Sequence, residues 1–174
     1  MSKEKVISIA AVMEKSGVNF GTSGVRGRVV ALSDEVCWAY AVGFIQYLQE
    51  TKQLQPGATV GIAGDYRTST DRMMGVLSQA IVDQGYQPIN VGKIPSPALA
   101  LYGLKQGIAT MMVTGSHIPE DRNGIKFNTA TGEILKPDEQ GIRAQLIIIP
   151  IGKFTPEGAL VREPSLPPID GSAK

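Results

Sequence analysis

Ser116 lies in the stretch Thr-Gly-Ser-His-Ile-Pro, residues 114–119, just after the apolar run Ile108 to Val113. Such a run reads as a buried strand. A serine on a glycine-hinged turn at the end of a strand is displayed rather than packed. The only histidine of the chain, His117, is next to it, and two cations, Arg122 and Lys126, follow. An exposed oxygen, close backbone and positive charge are what a phosphoryl group carried on Ser116 would need. Ser, His, Pro and Asn-Gly are also ordinary turn residues, so a plain surface loop is the competing reading.

Two further segments bear on that choice. Residues 20–27 read Phe-Gly-Thr-Ser-Gly-Val-Arg-Gly. Their glycines would let backbone amides approach an anion closely. The spacing fits neither a dinucleotide fingerprint nor a Walker loop, and a glycine-rich turn into a strand is the alternative. Residues 64–70 read Gly-Asp-Tyr-Arg-Thr-Ser-Thr, after the apolar run Thr59 to Ala63. Asp65 and Arg67 can pair there, and Thr68 or Ser69 can cap a following helix. A serine hydrolase is disfavoured, because Ser116 lacks the second glycine of a Gly-x-Ser-x-Gly elbow. His117, adjacent in sequence, is also poorly placed as its base.

Together with Asn123-Gly124-Ile125-Lys126 and the connecting stretch Gly85 to Pro97, these segments resemble the α-D-phosphohexomutases, the phosphoglucomutase and phosphomannomutase family. The resemblance runs from Asn19 to Glu139. It implies a multi-domain enzyme that interconverts hexose 1-phosphate and hexose 6-phosphate, of mannose or glucose, through a phosphoserine and a bisphosphate intermediate. It implies Ser116 as the phosphoserine, His117 beside the phosphate, Lys126 near the phosphoryl group, and Arg26 on the transferring phosphate. Thr22 and Ser23 would border the entrance, with Arg67 and Arg122 as further phosphate-binding candidates and Arg67 set back from direct contact. Magnesium is implied, held here only through the phosphate on Ser116, and hexose 1,6-bisphosphate as activator.

This chain departs from the family pattern in two ways. Ile118 stands where the family usually has Asn, which removes an amide from beside the phosphoserine. The family's Asp-Gly-Asp-x-Asp-Arg magnesium loop and the recognition loops of its later domains are absent. The chain therefore looks like the first domain alone. Its expected partners are hexose phosphates and the missing mutase domains, in cis or in trans, and alone it should be inactive or weakly active. The alternative is a non-catalytic sugar-phosphate or anion-binding or regulatory module with the same fold.

Composition is consistent with this. A chain of 174 residues, 43% hydrophobic and 19% charged, is long enough for one core-forming domain. Its formal net charge of +1 gives no field to gather nucleic acid or an anionic membrane. Neither partner is expected. One cysteine, Cys37, and one histidine exclude an intrachain disulfide and a cysteine–histidine zinc site. No segment approaches the roughly 20 apolar residues of a membrane span, and residues 1–11 do not read as a signal peptide. A cytoplasmic location is the default, and a homodimer through the uncovered face of a lone domain is an open expectation.

The elements that must position the site are legible in outline. Ser33, Asp34 and Glu35 start a helix with an apolar stripe through Val36, Tyr40, Phe44 and Tyr47. Trp38, Tyr40 and the methionines Met73 and Met74 read as core rather than as a ligand platform or metal ligands. Strands are expected at Thr59–Ala63, Gln87–Val91, Ile108–Val113 and Ile125–Asn128, the last antiparallel to its neighbour because its connection is short. Helices are expected after Ser69, around Ala98–Lys105 and at Pro137–Leu146. The alternation predicts a single three-layer αβα domain with a mixed, mostly parallel sheet, carrying its sites at strand ends. Residues 1–18 read as an N-terminal extension, 19–149 as the domain, and 150–174, with five of the 11 prolines, as a Pro-rich extension or linker. The apolar run Leu146 to Ile151 either packs back on the domain or forms a sticky edge.

Overall fold

The structure, a computed structural model, describes residues 4–171. In chain order the elements are β1 (Lys5–Ser8), α1 (Ile9–Ser16), β2 (Asn19–Phe20), β3 (Gly24–Arg28), α2 (Asp34–Glu50), β4 (Thr59–Gly64) and α3 (Thr70–Asp83). There follow β5 (Gln87–Lys93), α4 (Ser96–Gln106), β6 (Thr110–Val113), β7 (Arg122–Thr129), β8 (Gly132–Glu133), α5 (Lys136–Arg143) and β9 (Leu146–Ile149).

The caps expected from sequence form in part. Ser33 accepts a hydrogen bond from the Val36 N–H at 3.2 Å, and Asp34 and Glu35 occupy the first turn of α2. Ser69 stands at the start of α3 without capping it. Its hydroxyl instead accepts from Asn123 Nδ2 at 2.8 Å.

The main sheet has the order β2-β3-β7-β6-β4-β5, with β8 on β7. The α/β fold with a mixed sheet is what forms. Its balance differs from expectation: only β4–β5 and β4–β6 are parallel, and β2–β3, β3–β7, β6–β7 and β7–β8 are antiparallel. The crossovers through α3 and α4 are long enough to bring β4, β5 and β6 side by side in parallel, whereas the short returns into β3, β7 and β8 favour antiparallel pairing of β2–β3, β6–β7 and β7–β8.

Helices cover both faces. On one, α2 and α3 bury Val60, Ile62, Met111, Val113 and Phe127 together with Phe44, Met73 and Leu77. Trp38, Tyr40, Met73 and Met74 are buried there, as expected. Cys37 is also buried, and burial pushes its thiol up to about 12. On the other face α4 covers a smaller cluster, Ala63, Val91, Leu99 and Met112.

Both chain ends are tied to the domain. Within the N-terminal extension, β1 pairs antiparallel with β9 from Lys5↔Ile149 to Ser8↔Leu146, and Ile9 and Val12 of α1 enter the core. The apolar run after Leu146 packs back by alternation, with Ile147 and Ile149 buried and Leu146 and Ile148 exposed. The proline-rich segment is irregular but strapped to the domain. Lys153 pairs with Asp83 at 2.6 Å, Phe154 meets Trp38 edge-on at 5.7 Å, and Asn90 donates to Pro167 O at 2.9 Å. The final residues, 172–174, lie outside the described residues. No helix among the described residues is long and apolar enough to cross a membrane.

Candidate phosphoryl-transfer site

Strands β4 and β6 are parallel neighbours, paired from Gly61↔Thr110 to Gly64↔Val113. The helices that follow from β4 and lead into β6 lie on opposite faces, so the crevice beyond the carboxyl ends of these strands is where an open α/β sheet takes ligands. The chain leaves β4 at Asp65 and β6 at Thr114, which puts both motif loops there.

Asp65 joins the two loops. Its Oδ1 accepts from the Arg67 N–H at 3.1 Å and from Thr70 Oγ1 at 2.6 Å. Its Oδ2 accepts from the Gly115 N–H at 3.0 Å and lies 3.3 Å from Arg67 Nε. Burial would raise its carboxyl, but the hydrogen bonds from Thr70, the Arg67 and Gly115 amides and Thr114 outweigh it and hold Asp65 below its ordinary value. Lys93 supports the same corner, donating to Asp65 O at 3.0 Å.

Arg67 reaches across the gap. Nη1 donates to Pro119 O at 2.8 Å and Arg122 O at 3.2 Å, and Nη2 to Ser116 O at 3.2 Å and Ile118 O at 2.5 Å. Gly115 makes room for this, since a Cβ there would fall on the guanidinium. Glu120 closes the loop from outside by accepting from the Thr68 N–H at 3.2 Å.

Ser116 is exposed at the crest of the turn, with φ 53°. Few residues other than glycine adopt that region. Its N–H donates to Thr114 Oγ1 at 3.0 Å, and the Ile118 N–H donates to Gly115 O at 3.1 Å. Ile118 thus contributes backbone to the turn, and its side chain offers no polar group.

Sheet register sets where the cations stand. Arg26 is opposite Gly124, and Lys126 is opposite both Gly24 and Met112. Directly opposed residues share a face, so Arg26 and Lys126 emerge together on the α4 side. Thr114 bonds to Gly124 O at 3.0 Å beside them. Lys126 lies 3.7 Å from Glu133, and Glu133 also accepts from Ser23 Oγ at 2.9 Å. Among the described residues no hydrogen bond or ion pair engages the Arg26 guanidinium, the Arg122 guanidinium or the His117 ring.

The family model described as phosphoglucomutase/phosphomannomutase, alpha/beta/alpha domain I matches residues 17–148. The chain belongs to this family. A phosphomannomutase of Sinorhizobium fredii is 47% identical over 128 residues, covering 74% of this chain and 27% of that protein. A phosphomannomutase of Salmonella muenchen is 42% identical over 131 residues, covering 75% of this chain and 27% of that protein. The chain thus spans about a quarter of the length of these relatives. A solved phosphoglucomutase/phosphomannomutase family protein of Burkholderia thailandensis shares the fold, with TM-score 0.61 and 23% identity over 78% of this chain and 29% of that one.

In this phosphohexomutase domain the sequence-expected residues divide into two groups. Ser116, His117, Arg26, Lys126 and Arg122 come from β3, β7 and the loop after β6 to one end of the sheet. Arg67 was a phosphate-binding candidate set back from direct contact. Its Nη donors are instead spent on loop carbonyls, so it holds the loop. Thr22 and Ser23 line a cleft of about 410 Å³ with Leu135, Lys136 and Glu139, and Ser116 is not among its lining residues. Ser23, with φ 61°, is the second non-glycine residue near the site in the left-handed region.

Asn123 and Glu133 were not singled out from sequence. Asn123 is fully buried and donates to Ser69 and Thr70 hydroxyls. Its Asn-Gly neighbourhood reads as a turn, which masks that role. Glu133 has no local signal, because its partners lie at Lys126 and Ser23.

Among the described residues no group of three or more His, Cys, Asp and Glu could hold a metal ion. The Asp65 carboxylate, which joins the two loops, is occupied by hydrogen bonds from Arg67, Thr70 and Gly115. These residues do not by themselves fit a resident magnesium ion.

Proposed function

We propose that this chain is the phosphoryl-carrying domain of a hexose-phosphate mutase, with Ser116 as the carrier. The reading is supported by an exposed serine at positive φ on the loop after β6, at the sheet end where the register sets two cations, Arg26 and Lys126, on one face. A phosphoserine brings close to two negative charges at neutral pH. Arg26 suits two parallel hydrogen bonds to its oxygens, and Lys126 acts as a point charge.

In the forward step a sugar hydroxyl oxygen attacks phosphorus in line. The new O–P bond forms as the P–Oγ bond of Ser116 breaks, and the hydroxyl proton leaves to a base. Both cations offset the charge that gathers on the equatorial oxygens. The sugar bisphosphate then turns over, and its other phosphoryl group returns to Ser116. His117 orients the phosphate. Lys126 exchanges its weak contact with Glu133 for phosphate as the site fills.

The substrate class proposed is hexose phosphate, with mannose phosphates favoured because the relatives at 47% and 42% identity are named phosphomannomutases. Hexose 1,6-bisphosphate is the proposed activator. Magnesium would belong to the complete enzyme, with carboxylates supplied from outside this chain. The isolated chain should turn over slowly or not at all. Its partners are then the remaining mutase domains, and a cytoplasmic setting fits a sugar-phosphate enzyme.

Intact mass before and after incubation with hexose 1,6-bisphosphate and magnesium, followed by phosphopeptide mapping, tests the reading. One phosphoryl group on Ser116 is expected. A phosphoryl group mapped to another residue would rule out Ser116 as carrier. A phosphate-free chain that binds sugar phosphate would favour the non-catalytic module.

A further inference from the structure

Arg67 has a side chain only 11% exposed, yet it packs against polar backbone rather than into the core. Its four Nη N–H groups meet the carbonyls of Ser116, Ile118, Pro119 and Arg122, and its Nε side pairs with Asp65. No Nη donor remains for a ligand. These acceptors lie 49 to 55 residues away along the chain, so this is a tertiary contact and not a local turn.

We propose that Arg67, held by Asp65, is the positioning residue of the Ser116 loop. This rests on the reading of Ser116 as the phosphoryl carrier. The guanidinium gathers the loop's carbonyl oxygens on its inner side. The outer side then keeps the Ser116 hydroxyl at fixed height and direction beside Arg26 and Lys126.

The physical need is twofold. A serine at positive φ persists only where its surroundings over-determine it. Carbonyl oxygens free to swing outward would also set negative dipoles against a dianionic phosphate. A planar fork with several N–H groups answers both needs, and a lysine, as a point charge, cannot span four carbonyls. Asp65 completes the device. It anchors the Arg67 amide and Nε from below and takes the Gly115 N–H, so both ends of the gap between the β4 and β6 loops are tied to one carboxylate.

The test uses this chain with Arg67→Ala and Arg67→Lys, the second in case the first does not fold. Amide hydrogen exchange is followed at Ile118 and Arg122, whose N–H groups bond within the loop. In either variant these amides should exchange at least about tenfold faster, as loss of one charge-assisted hydrogen bond implies. Amides within β4 and β6 should keep their rates. Guanidinium at tens of millimolar should restore protection in Arg67→Ala, and equal ammonium should not. The rate of phosphoryl loading of Ser116 from hexose 1,6-bisphosphate should fall about 10²-fold, the effect of a misplaced reacting group, and recover with guanidinium.

Unchanged loop exchange, or loosening spread evenly through β4 and β6, overturns the proposal. So does a loosened loop with an unchanged loading rate. If the unmutated chain takes up no phosphoryl group, the carrier reading loses its support in this chain. The exchange pattern and its guanidinium rescue then decide the positioning role alone.

Discussion

The two faces of the sheet are built to different ends. The α2/α3 face is thick and apolar: Phe44 and Phe127 rings lie 4.9 Å apart, with Tyr40, Met73 and Leu77 fully buried around them. The α4 face has a small apolar cluster and then turns polar along the same strands. Asn128 donates to Thr110 at 3.0 Å, and one step nearer the strand ends stand Lys126 and Arg26. One face supplies burial, which is non-directional and stabilises in proportion to area. The other gives up burial so that charged groups can stand at fixed positions on rigid strands, which is what catalytic placement requires. The strained residues Ser116 and Ser23 lie at the polar end, where surrounding hydrogen bonds hold them.

Substitutions on the two faces should separate function from stability, and the largest effect should be functional. Ser116→Ala is expected to abolish phosphoryl uptake while the melting temperature stays near that of the unmutated chain. Phosphate incorporated at the original level would remove the carrier role. Phe127→Ala should do the reverse, costing about 3–5 kcal/mol of folding stability as a cavity opens in the thick core, read from urea midpoints. A cost below that of a typical surface change would mean the α2/α3 face does not dominate the fold.

Lys126→Ala comes next. It should slow phosphoryl transfer about 10²-fold, the scale of one lost charge-stabilising donor, with little change in melting temperature. A variant that instead melts early at an unchanged rate would make Lys126 structural. Leu99→Ala, beneath α4, should cost about 2 kcal/mol, the low end for a buried leucine, because its cluster is small. A loss equal to that of Phe127→Ala would erase the contrast between the faces.

The smallest effect concerns acid. The folded carboxyl of Asp65 sits below its ordinary value of 3.8. Its stabilisation is therefore present in full above that value and is lost as pH falls through the lower folded one. The stability gap between the unmutated chain and Asp65→Asn should be open at neutral pH and narrow progressively in acid, as pH falls below 3.8. A gap that stays constant in urea titrations across that range would place the role of Asp65 outside its charge.

Much of this architecture was legible because its signals are local. Ser33 followed by two acidic residues starts a helix wherever it occurs, and the runs at Thr59 and Ile108 have strand length and bounds. The role of Arg67 stayed open in the sequence, because whether an arginine after a strand meets phosphate or holds its own fold depends on acceptors 49 to 55 residues away. The order of the N-terminal residues was not legible for a related reason. Residues 5–8 have no partner in their own neighbourhood, and the strand that completes them begins at Leu146.

The sequence by itself marked the candidate residues, Ser116 with His117 and Lys126 from one local stretch and Arg26 through the family resemblance, and the strands that carry them. Only the tertiary structure decided which cations remain free to meet a phosphate and which are spent on the protein. Arg26 has no partner among the described residues, Lys126 has a distant one in Glu133, and Arg67 is committed to four carbonyls. The reason is physical: a side chain's charge is fixed by its type, but its partners are fixed by sheet register and loop closure, which join positions far apart in the chain.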